Sequence, residues 1–107
     1  MTELHDAIFK SLSDPTRRGL FEWLSLEGEH TVAALTERAK ISQPAVSKHL
    51  GILKQAGLVS ARHEGRQTHY TARKEALAPL VDWTRRMGSF WDVKLDGLEE
   101  LLGRMDQ

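Results

Sequence analysis

Apolar residues recur at helical spacing from the start of the chain. Leu4, Ile8, Phe9 and Leu12 predict an amphipathic helix over residues 3–12. Ser13-Asp14-Pro15 then reads as a helix start, because Asp14 can cap and proline tolerates the first turn, where no amide partner is needed. Leu20, Phe21 and Leu24 form the stripe of that second helix, with Trp23 beside it, to about Leu26. Residues 27–30 read as a polar connection. Thr31 can cap a short helix over 32–40, in which Val32, Leu35 and Ala39 face one way. After a turn at Lys40-Ile41, Ser42 can cap a fourth helix that opens with Gln43-Pro44 and buries Val46, Leu50 and Leu53. Gly57 stands where a left-handed residue commonly ends a helix. Leu58 to Arg62 and Thr68 to Ala72 read as short strands around Gly65-Arg66. A two-residue turn there pairs His63 with Thr68 and Arg62 with His69. Residues 75–107 are helical again, with Pro79 and Gly88 predicting a kink or two segments.

The expected architecture is therefore mainly α with a small β-hairpin, in the order α-α-α-α-β-β-α. At 107 residues it is expected to be one domain, 1–107. No apolar run approaches the roughly 18 residues of a membrane span, and the first residues lack the basic flank and apolar stretch of a signal peptide. A soluble cytoplasmic protein is the expectation. There is no cysteine, which excludes disulfides and thiolate metal sites within this sequence.

Net charge is zero, but it is unevenly spread. Residues 1–37 hold three basic and seven acidic side chains, residues 38–74 eight and one, and residues 75–107 four and seven. A basic central third suits a phosphate-binding surface. It equally suits a solvated face neutralised by the acidic ends, and charge alone leaves both open.

Two short helices joined by the turn around Lys40-Ile41-Ser42 make a helix-turn-helix, whose second helix would enter a DNA major groove by its N-terminal end. Ser42, Gln43 and Pro44 open that helix, and its free amides can hold a phosphate oxygen. Gln43 can pair bidentately with adenine, and Ser47 can donate or accept at several bases. Lys48 and His49 lie one turn on, and Lys54 near the end. The hairpin brings Arg62, Arg66 and Gln67, with basic side chains suited to phosphates or a narrow minor groove. An ordinary helical hairpin facing water would account for the same polarity, and the hairpin can also simply close the core.

The runs Leu12-Ser13-Asp14-Pro15-Thr16-Arg17-Arg18, Ser42-Gln43-Pro44-Ala45-Val46-Ser47-Lys48-His49-Leu50 and Leu53-Lys54-Gln55-Ala56-Gly57-Leu58-Val59 resemble the ArsR/SmtB family of bacterial winged-helix repressors. The likeness covers nearly the whole chain. It implies a homodimer on a palindromic operator, repressing until an effector releases it. It also implies DNA contacts from Ser42, Gln43, Ser47 and His49, and from Arg66 in the wing.

Metal-sensing members carry cysteine pairs in the third helix, where this chain has Thr31-Val32-Ala33-Ala34-Leu35, or Asp and His ligands on the last helix, which here holds no histidine. No metal and no cofactor are expected, and a small-molecule effector stays open. Trp91, Leu95, Leu98, Leu102 and Met105 alternate steps of four and three, a seam suited to another helix. With Leu4, Ile8 and Phe90 they predict a homodimer interface through the first and last helices. No phosphate loop or nucleophile motif supports an enzyme. The remaining alternatives are a winged-helix module that binds protein, and a metal-responsive sensor using ligands other than cysteine.

Overall fold

The computed structural model describes residues 3–105, with side chains from His5 onward. The chain forms two compact units, Met1–Leu77 and Ala78–Gln107. In the first, α1 (Glu3–Ser13) and α2 (Pro15–Glu27) precede a two-residue strand β1 (His30–Thr31). Then come α3 (Val32–Ala39), α4 (Gln43–Gln55), β2 (Val59–Glu64), β3 (Gln67–Ala72) and a 3-10 turn at Lys74–Leu77.

Caps fix the helix ends. The Asp14 carboxylate accepts from the Arg17 amide at 3.0 Å, with Pro15 opening α2. Thr31 Oγ1 accepts from Ala34 N at 3.1 Å, and Ser42 Oγ from Ala45 N at 3.3 Å. Gly57 has φ of 82°, and beside it the amides of Gly57 and Leu58 reach back to the carbonyls of Lys54 and Leu53 at 3.0 and 2.9 Å. That pair of bonds is a Schellman close, which needs a left-handed residue at Gly57. It stops α4 and aims the chain into β2.

Inside, Ile8, Leu20, Leu24, Leu35, Val46, Leu50, Leu53, Leu58 and Val59 are almost wholly removed from water. The stripes of α2, α3 and α4 and the start of β2 thus form one core, whose packing leaves the other face of α4 outward. Ile8 was expected at a dimer interface. It is 1% exposed, so its side chain has nothing to offer a second chain. Leu4 lies outside the described side chains.

The β2–β3 register is the one a two-residue turn dictates, with His63 opposite Thr68 and Arg62 opposite His69. Unlike the expected two-stranded hairpin, the sheet has three strands in the order β1-β3-β2. His30 and Thr31, expected in or beside a connection, pair with Tyr70 and His69. The reason is non-local: β3 would otherwise present an unpaired edge, and the segment entering α3 satisfies it.

The second unit is α5 (Ala78–Met105), a single assigned helix of 28 residues. Of the two expected forms, a division into two segments at Gly88 is absent, because a mid-helix glycine costs a long helix only about 1 kcal/mol. Phe90, Trp91, Leu95, Leu98, Leu102 and Met105 are all exposed on it. No helix among the described residues is long and apolar enough to cross a membrane.

Candidate nucleic-acid interface

Burial of Val46, Leu50 and Leu53 turns the opposite side of α4 to solvent. Ser42, Gln43, Pro44, Ser47, Lys48 and Lys54 are all exposed. Gln43 and Ser47 border a cleft of about 190 Å³ whose far wall is the wing tip, Arg66, Gln67 and Thr68. Thr31, Val32 and Ala33, at the start of α3, complete the lining. The structure therefore brings four of the expected contact residues, Gln43, Ser47, Arg66 and Gln67, to a single concavity. Ser42 and Pro44 adjoin it in sequence. Lys54 shares the helical face of Gln43, since eleven residues bring a helix back almost to the same side, but sits about 16 Å further along the axis.

His49 is half-buried and turned towards α2, where its Nδ1 lies 3.4 Å from Nη1 of Arg17. Arg17 is itself fixed by hydrogen bonds to the Ser11 carbonyl at 2.9 Å and the Lys10 carbonyl at 3.4 Å. The Arg17 amide, then its guanidinium, hold the Asp14 carboxyl below its ordinary range against some desolvation. In the sequence, Arg17 stands out only as part of the Leu12–Arg18 motif. Its link to a residue 32 positions away left no local signal.

Arg62 departs from the expectation. Its guanidinium donates to Glu29 at 2.7 Å and to Glu64 at 2.6 Å, so its charge is already matched by two carboxylates. Those hydrogen bonds are the main reason both carboxyls titrate below the usual glutamate range. Thr71 donates to the same Glu29 at 3.2 Å, and His69 Nδ1 lies 3.5 Å from it. The cluster ties the segment before β1 to the root of the wing. Arg38, which stacks on Trp23 and pairs with Glu27, and Arg73, paired with Glu75, are likewise matched. Among the described residues no carboxylate lies within ion-pair reach of Lys40, Lys48, Lys54, Arg66 or Lys74. The unmatched positive charge of the central third thus includes α4 and the wing tip. Also among the described residues, no three His, Asp or Glu side chains are placed to hold a metal ion.

A helix-turn-helix domain family matches residues 12–61, from the end of α1 into β2. The chain is 38% identical over 99 residues to a "Probable mercury resistance operon repressor" of Streptomyces lividans, covering 92% of this chain and 78% of that one. It is 37% identical over 76 residues to the transcriptional repressor SdpR of Bacillus subtilis, covering 71% and 83%. Among solved structures, an ArsR family transcriptional regulator superposes with a TM-score of 0.77 at 29% identity, over 84% of this chain and 92% of that one. An ArsR-like regulator from Rhodococcus sp. RHA1 gives 0.72 at 29% identity, over 90% of each chain. With the motifs, the winged fold and these relatives in agreement, the chain belongs to the ArsR/SmtB family of winged helix-turn-helix, DNA-binding transcriptional regulators.

Proposed function

We propose that the protein is a dimeric repressor that binds an inverted-repeat operator. The start of α4 enters the major groove, with Ser42, Gln43 and Ser47 at base edges and Pro44 fixing the first turn. Lys48, His49 and Lys54 serve the flanking phosphates, and the wing tip reaches the adjacent backbone or minor groove through Arg66 and Gln67. Arg62 braces the wing without contacting DNA. The observation that carries this reading is the cleft in which Gln43 and Ser47 face Arg66 and Gln67. Two side chains suited to base edges and one unmatched cation share a concavity there, as a groove reader that also grips phosphate requires.

The names of the Streptomyces and Bacillus relatives support repression. The exposed α5 seam of Trp91, Leu95, Leu98 and Leu102, with Phe90 beside it, is the surface a second copy would cover.

Selection of bound duplexes from a random library tests the proposal. The expected winner is an inverted repeat with half-site centres about 34 Å apart, or a multiple of that spacing. Its affinity should fall steeply with salt as phosphate counterions are released. A library that yields no enriched duplex, alongside salt-insensitive capture of a protein partner, would overturn it.

A further inference from the structure

The geometry points to Arg17 as a positioning residue for DNA recognition: it sets the His49 ring as the Nε2–H tautomer, so that His49 can serve DNA only as a hydrogen-bond donor. This inference rests on the DNA-binding reading of α4. A guanidinium has only donors and does not lose its proton in proteins. Nη1 of Arg17 stands 3.4 Å from Nδ1 of His49, and a hydrogen bond between them needs the lone pair on Nδ1. In the neutral ring the proton then resides on Nε2. Arg17 can impose this because it is not free to turn away. Its Nε is engaged by the Ser11 carbonyl at 2.9 Å and its Nη2 by the Lys10 carbonyl at 3.4 Å, both at the end of α1. Its side chain is only 15% exposed.

The chemical consequence is selective. An Nε2–H donor suits a phosphate oxygen or the O6 and N7 acceptors of guanine, and it cannot accept from the amino groups of adenine or cytosine. α1, α2 and α4 thereby meet in one side chain whose orientation matters to the operator.

Two measurements on the whole 107-residue chain test this. Long-range proton–nitrogen NMR of the free wild type should show His49 Nε2 protonated and Nδ1 bare. Arg17→Lys, which keeps the charge but cannot serve the Ser11 carbonyl and His49 together, should let both tautomers appear. On a selected duplex, Arg17→Lys and His49→Asn should each weaken binding about tenfold, the scale of one charge-assisted hydrogen bond. His49→Gln, whose side-chain amide can place a donor near the Nε2 position, should recover most of the loss. A wild-type ring protonated on Nδ1, or equal affinities for His49→Gln and His49→Asn, would overturn the inference. If the wild type binds no duplex at all, it is the DNA-binding reading that fails, and the ring measurement still stands or falls by itself.

Discussion

Lys40 has a φ of 58°, in the left-handed region that L-residues enter only at a cost. It sits at the end of α3, with its amide donating to the Thr36 carbonyl at 3.1 Å, and it makes the sharp turn that throws the chain into Ser42. Lys40→Gly should relieve that strain. Allowing for glycine's greater freedom when unfolded, the net gain should be about 0.5–1 kcal/mol, read as a rise in the denaturation midpoint. On the DNA side, Gln43 and Ser47 are candidates for base readout. Replacing either with alanine should cost about 1–3 kcal/mol on the preferred operator and little on random duplex, so the ratio of the two affinities is the measurement. Arg66→Ala should behave differently. If it meets only phosphate, binding to all sequences weakens alike and the slope of affinity against salt falls by about one.

Most of the element boundaries were legible because the punctuating residues are local. Asp14, Thr31, Ser42 and Gly57 act within a few positions of themselves, and each stands where its chemistry predicts. What the sequence hid was non-local. β1 is two residues long, too short for an alternation to register, and exists because the edge of β3 lies beside it. Arg62 meets Glu29 across 33 positions, and no spacing rule connects them. Ile8 was recognisably apolar, but its pattern could not say whether its own chain or a second one would cover it. The Glu29–Arg62–Glu64 cluster also makes the wing sensitive to acid. Both carboxyls are held below the ordinary value of 4.5 when folded, so their contribution is present above that value. It is lost as pH falls through the lowered folded values. Amide exchange in β2 and β3 should therefore accelerate below about pH 4.5 relative to the α4 amides. Glu29→Gln should remove much of that difference.

Across the whole molecule, zero net charge is compatible with DNA binding because the matched and unmatched cations are separated. Arg38, Arg62 and Arg73 have carboxylate partners, whereas Lys48, Lys54 and Arg66, on α4 and the wing tip, have none among the described residues. Local patterning revealed the basic third, but only folding shows which of its charges remain for a phosphate. The acidic balance falls instead on the two ends of the chain, residues 1–37 and 75–107. The apolar seam of α5 leads to the last expectation. Trp91 and Leu98 are about half exposed, and they lie seven residues apart on one helical stripe. Large apolar groups at that spacing are costly to leave in water, at roughly 25 cal/mol per Å² of apolar surface. A second copy of the helix would relieve that cost. Leu98→Asp should therefore shift sedimentation from dimer towards monomer while leaving the far-ultraviolet circular dichroism of the first unit unchanged. Each monomer would keep its groove-reading helix, so an isolated half-site should bind with nearly wild-type affinity. The full inverted repeat should lose the gain that comes from tethering two readers, on the order of a hundredfold or more. Equal losses on half-site and full site would instead mean that the substitution damaged the reader itself.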